Sequence, residues 1–321
     1  MNNRDRLIGL SVVLLWGVNF TAIRVGLDHF PPFFFAGLRF AVLAIPVVLF
    51  VPRPQVPLRW LLLYGFGFGT LQFAFLFSAM RAGMPTGLAS LVLQSSAPFT
   101  VVLGAIFLRE RLRPIQLAGL GVAVAGMVVI GVDRAQSAAL LPLLLTLAGG
   151  LGWAFGNLGS RKAAAGGGVN TMHLTLWMAV VPPIPLFALS VLAEGPTAGL
   201  HALTDFGAPS WWHALIAVAY IAVLATIVGS GMWTYLMSRY PAGTVAPLTL
   251  LVPVVGMAAA WAALGERPSA WEVVGGLIVI AGAFTATTAG ARAKAVAPAQ
   301  AAALDPTPAA DVEASPALAK A

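Results

Sequence analysis

Residues 88–111, LASLVLQSSAPFTVVLGAIFLRER, return in altered form as residues 245–267, VAPLTLLVPVVGMAAAWAALGER. Each is an apolar run carrying a helix-breaking proline, Pro98 or Pro253, and each closes on a Glu-Arg pair. Glu110 and Arg111 stand 156 residues before Glu266 and Arg267, and the same offset carries Pro85 to Pro241, Gly119 to Gly275 and Gly126 to Gly282. Near the start of each half, Trp16–Asn19–Arg24 is echoed by Trp153–Asn157–Lys162, at an offset of 138 for the asparagines. The extra residues are therefore expected in the loop around 194–211. The second half of the chain repeats the first.

Working outward, eight further apolar runs flank these two. The ten lie at about 7–26, 33–51, 60–80, 86–108, 115–132, 139–159, 171–193, 212–237, 243–264 and 272–290. Roughly 20 apolar residues carry a helix across a bilayer. Of the 321 residues, 59% are hydrophobic and only 9% charged, against about a quarter charged in a soluble domain. The expected fold is all-α, a polytopic membrane protein of ten transmembrane helices. The first run is longer than a signal-peptide core and carries Trp16, Asn19 and Arg24, so it reads as a permanent helix. Residues 291–321, rich in Ala and Pro, read as a disordered tail.

Basic residues set orientation. With the amino terminus inside, thirteen Lys and Arg fall in inner segments, among them Arg4, Arg53, Arg109, Arg113, Arg161 and Arg239, and only Arg81, Arg134 and Arg267 fall outside. Both termini are expected in the cytoplasm. Each half holds five spans, and an odd-numbered repeat enters the membrane in opposite orientations. The expected units are 1–134 (spans one to five), 135–290 (spans six to ten) and the tail. Gly65-x-x-x-Gly69 and Gly152-x-x-x-Gly156 are suited to close helix approach.

Polar groups in lipid are expensive, so those within the spans are the candidates for function. No Asp or Glu falls near the middle of any span, which disfavours proton exchange through a central carboxylate. Cysteine is absent, the four His lie near span ends or in loops, and no catalytic cluster is visible, so no enzyme, cofactor or metal site is expected. The basic surplus lies between spans and implies no nucleic-acid partner. Inside the spans stand Asn19, Gln72, Gln94, Ser95, Ser96, Asn157 and Thr249, with Trp16, Trp153, Trp177 and Trp233 as candidate cavity walls. Gln94–Ser95–Ser96 beside Pro98 has the form of a discontinuous-helix substrate site, with Pro98 and Pro253 as hinges. The asparagines fit substrate binding and interhelical bonding equally well. Arg39, the one full charge well inside a span, suits a substrate carboxylate, or else it snorkels or pairs with carbonyls or Asp28.

The segments LLWGVNF, PPFFFAGLRF, LYGFGFGTLQFAFLFSAM, GMPTGLASLVLQSSAPF and VAPLTLLVPVVG, with the Glu-Arg signature before each last helix, resemble the EamA domains of the drug/metabolite transporter superfamily. The likeness runs over about residues 7–290 and is closest to the O-acetylserine/cysteine exporter group. It implies a secondary transporter of the bacterial inner membrane exporting small metabolites, amino acids or derivatives such as cysteine or O-acetylserine, by alternating access through a polar cavity. The aromatic runs FFFAGLRF and QFAFLF leave efflux of hydrophobic drugs as an alternative, and a membrane enzyme or receptor as a third.

Overall fold

The computed structural model of the chain describes residues 1–136, 140–240 and 245–286; Pro241 and the tail from 291 lie outside the described residues. Every regular element among the described residues is helical. Eight helices are long and apolar enough to cross a bilayer: α1 (Asn3–Leu27), α2 (Pro32–Phe50), α3 (Leu58–Arg81), α4 (Thr86–Leu108), α5 (Pro114–Gln136), α6 (Leu140–Ala164), α7 (Thr171–Ala193) and α8 (Trp211–Arg239). Two shorter apolar helices follow, α9 (Leu248–Leu264) and α10 (Ala270–Ala286). Over the described residues these two shorter helices stand where the ninth and tenth spans are expected. A 3₁₀ segment, Ala246–Leu251, opens the ninth, and 243–244 and 287–290, counted in the two apolar runs, lie outside the described residues. The region 194–211 folds a short helix, Ala198–Thr204.

The helix starts are fixed by local chemistry. Asn2 caps α1, its side chain accepting from the Asp5 amide at 2.7 Å, and Asn170 caps α7 through Met172 and His173. The amides of Phe33 and Phe34 donate to the Glu194 carboxylate from the end of α7, at 2.6 and 3.1 Å. A carboxylate at a helix N-terminus is favourable, and this one also ties α7 to α2. The molecule's outer faces are apolar: Phe50, Ile184 and Leu192 are 80–83% exposed. Such a surface belongs in lipid, and the chain is a multi-pass membrane protein.

Lipid supplies no hydrophobic drive between helices, so packing relies on close approach. At Gly67 a Cβ would stand 2.5 Å from the Gly156 amide and 2.9 Å from the Gly152 carbonyl, which brings α3 against α6 backbone to backbone. At Gly119 it would meet the Gly282 carbonyl at 2.9 Å, and at Gly126 the Gly275 carbonyl at 2.6 Å, so α5 and α10 run antiparallel in contact. Elsewhere partners cross between the halves. The first helix, α1, packs on α8 and α9, whereas α6 packs on α3 and α4, and α2 packs on α7.

Among the described residues turns at 179–182 break α7, and four further segments take up π or 3₁₀ geometry. A π-helical stretch, Gly65–Leu71, interrupts α3, and another, Tyr220–Val228, interrupts α8. In α4 the 3₁₀ turn Leu93–Ser95 precedes Pro98, as Ala246–Leu251 precedes Pro253. Moved by 156 residues, each first-half segment falls within its second-half counterpart.

Candidate functional site

These departures set the positions of the polar side chains. Gln72 is the first residue after the π stretch of α3; it is 3% exposed and its Oε1 has no hydrogen-bond partner. Its backbone lies against Gly149 and Gly152 of α6. Ser95 ends the 3₁₀ turn of α4, fully buried across from Gly150, and its Oγ is also without a partner. Gln94 is half-buried in the same turn, and Ser96 is buried, its carbonyl accepting from Thr100 Oγ1 at 2.7 Å. Pro98 and Pro253 are both buried in the first turn of the α-helical part that follows. Thr249 is half-buried in the 3₁₀ segment that opens α9.

The two asparagines differ. Asn157 on α6 donates to Thr100 Oγ1 at 3.0 Å, joining α6 to α4, whereas Asn19 on α1 keeps a buried, unpartnered Oδ1. The tryptophans divide as well. Trp16 donates through Nε1 to the Ala225 carbonyl at 3.0 Å, inside the π stretch of α8, and its ring lies 5.5 Å from that of Trp233. Trp153 meets Phe68 edge-on at 5.7 Å. Trp177 donates to the Val51 carbonyl at 3.0 Å, where α2 ends, and so serves to join α7 to α2. The candidates therefore gather in two groups, one where α3, α4 and α6 meet and one where α1 meets α8.

Arg39 neither snorkels nor pairs with Asp28, which is held by Arg24 at 3.2 Å. It is 4% exposed, with its guanidinium carbon 4.1 Å from the Phe73 ring centre and 4.9 Å from that of Phe40. Its Nη2 donates to Thr226 Oγ1 at 3.3 Å, while Nε and Nη1 have no partner. Thr21 and Thr70 also carry buried, unpartnered hydroxyls that the sequence did not single out. Helical threonines ordinarily bond the preceding turn, as Thr146 does to Pro142, so nothing in the local pattern marks the exceptions. The phenylalanines of FFFAGLRF and QFAFLF pack on one another, Phe35 on Phe77 at 5.2 Å and Phe40 on Phe73 at 5.4 Å.

Two polar clusters sit at the ends of the helices. Asp5 is buried and accepts from Tyr240 at 2.6 Å and from Tyr235 at 3.4 Å. That bond to Asp5 holds the Tyr240 phenol above its ordinary pKa. At the other end of α1 a shallow hollow of about 520 Å³ is lined by Asp28, His29, His201, Asp205 and Ser210 among others. His29 is committed on both ring nitrogens, to Ser210 and to the Ala202 carbonyl. None of the expected site residues lines this hollow.

The model of the EamA-like transporter family matches twice, over residues 6–132 and 140–288. A protein of Escherichia coli K12 named as a probable amino-acid metabolite efflux pump is 42% identical over 287 residues, covering 88% of this chain and 95% of that one. A protein of Streptantibioticus cattleyicolor named as a probable terminal-alkyne amino-acid exporter is 28% identical, covering 84% of this chain and 89% of that one. A crystal structure 23% identical to this chain covers 90% of it and 98% of its own chain with a TM-score of 0.56, which shows a shared fold.

Proposed function

The chain belongs to the EamA-like transporter family, and from that premise we propose that it exports amino acids or close derivatives, such as cysteine and O-acetylserine. The names of its relatives from Escherichia coli and Streptantibioticus cattleyicolor support the substrate class. The observation that carries the reading is the set of buried polar atoms without partners, among them Asn19 Oδ1, Gln72 Oε1, Ser95 Oγ and the Nε and Nη1 of Arg39. Apolar helices retain such groups at a cost of roughly 1–3 kcal/mol each unless a solute bonds them. The substrate path uses these groups with Gln94, Ser96, Thr249, Trp16, Trp153 and Trp233, while Asn157 and Trp177 support it by joining helices.

Export proceeds by alternating access between two inverted five-helix units, residues 1–134 and 135–290, with both termini in the cytoplasm of a bacterial cell and the tail beyond. Several findings support the inversion. The contacts Gly119–Gly282 and Gly126–Gly275 exchange under the 156-residue offset, which is what a two-fold axis between antiparallel helices produces. An axis across two membrane-crossing helices lies in the membrane plane, so one half is upside down relative to the other. The exchanged packing of α1 and α6, the paired π and 3₁₀ segments and the two family matches agree. Pro98 and Pro253, each following a 3₁₀ segment, are the hinges.

Purified protein in liposomes, supplied with labelled cysteine, O-acetylserine and neutral amino acids, tests the proposal. Flux above empty liposomes is expected for at least one of them. No flux for any would overturn the amino-acid assignment.

A further inference from the structure

Resting on the exporter reading above, we infer that Arg39 is the receptor for the carboxylate of the transported solute, and that the pathway selects small molecules bearing one. A guanidinium buried to 4% exposure among apolar helices needs a counter-charge. Among the described residues no acidic side chain is paired with it: Glu272 accepts from the Ser269 amide and Glu266 from the Gly87 amide, and others are engaged likewise. Asp28 holds Arg24, Glu110 holds Arg161, Glu194 caps α2 and Asp5 accepts from two tyrosines. Phe73 and Phe40 cover the cation but supply no hydrogen-bond acceptor in the guanidinium plane.

The donor geometry points to a planar anion. A guanidinium offers five N–H groups along two forked edges that share Nη2. Thr226 takes one bond from Nη2, and neither Nε nor Nη1 is spent. One complete edge therefore remains to bind both oxygens of a carboxylate, the match for which arginine is suited and lysine is not. Phe73, 4.1 Å from the guanidinium carbon, and the bond to Thr226 hold the group in place before the solute arrives. Gln72, next to Phe73 in the chain, and Asn19 present unpartnered carbonyl oxygens, the acceptors that the ammonium of an amino acid requires.

Its surroundings also connect this residue to the two π-helical stretches. Phe73 follows the π stretch of α3, and Thr226 lies within that of α8. A carboxylate drawn onto Arg39 acts on both helices at once, so occupancy is felt by the two halves together.

Liposomes carrying the full chain test this through inhibition of labelled L-cysteine and O-acetyl-L-serine flux. The competitors are L-cysteine, its methyl ester and cysteamine. In the wild type, the two carboxylate-free competitors are expected to be about 10- to 100-fold weaker than L-cysteine. Arg39→Gln is expected to remove that difference, and Arg39→Lys to keep only part of it, since the charge stays but the fork goes. Equal inhibition by L-cysteine and its ester in the wild type overturns the inference while leaving the exporter reading intact. So does an Arg39→Gln protein that still prefers the acid. The ester comparison needs no variant and decides the matter even when Arg39→Gln does not fold. Absence of any flux in the wild type overturns the exporter reading and this inference with it.

Discussion

Ser95 buries its hydroxyl oxygen against Gly150 with no hydrogen bond to show for it. Its desolvation is already suffered, so deleting the oxygen costs the fold nothing. Ser95→Ala is expected to leave thermal unfolding in detergent unchanged or slightly raised while lowering amino-acid flux. A lowered midpoint with full flux would make Ser95 a structural residue. Asn157 is the reverse case, because its amide already bonds Thr100. Asn157→Ala should lower stability by about 1 kcal/mol, read in the same unfolding assay. Arg109 shows a third kind of constraint. It ends α4 with φ of 53°, and Gly265, at the equivalent place 156 residues on, ends α9 with φ of 68°. That left-handed cap favours glycine, and an L side chain there costs roughly 1 kcal/mol. Arg109 belongs to the connection that carries three Arg, whose charge the proposed orientation draws on. Arg109→Gly is therefore expected to raise the unfolding midpoint slightly.

Elements are where sequence periodicity served best and also where it stopped. The apolar runs placed eight long helices to within a few residues, because hydrophobic length alone decides what crosses a bilayer. They could not show that α3 and α8 turn π-helical or that α4 turns 3₁₀, since a shift to i→i+5 or i→i+3 bonding leaves the run of apolar residues unchanged. Gln94–Ser95–Ser96 beside Pro98 was legible as a break. The confinement of Arg39 was not, because its partners come from α3 and α8, 34 and 187 residues along the chain. Packing glycines can be tested against one another. Gly67→Ala puts a methyl group against the Gly156 backbone and should destabilise by about 1–3 kcal/mol. Gly121→Ala meets nothing within 4 Å and should be neutral or stabilising by about 0.5–1 kcal/mol. Equal effects on unfolding would mean that α3 and α6 are not in backbone contact. At the hinge, Pro98→Ala should slow turnover more than it weakens binding, read as flux at saturating substrate against half-saturation.

At the scale of the molecule, orientation can be read directly because the chain contains no cysteine. Single variants Arg113→Cys and Ala82→Cys place a thiol at opposite ends of α4. A membrane-impermeant maleimide added to intact cells should label Ala82→Cys and spare Arg113→Cys until the cells are broken. The opposite pattern would invert the proposed topology. The exchanged packing of α1 and α6 bears on something else, the order in which the protein is made. The partners of α1 are α8 and α9, which leave the ribosome some two hundred residues later. Until they do, α1 stands in lipid with Trp16 and Gly17 facing no helix that will finally cover them, and α3 and α4 wait for α6. Insertion of spans can proceed one by one, but consolidation cannot, since neither half holds the surfaces that complete it. A chain halted after α5 should remain loosely associated and exposed to membrane proteases, and the native bundle closes only when the last helices arrive.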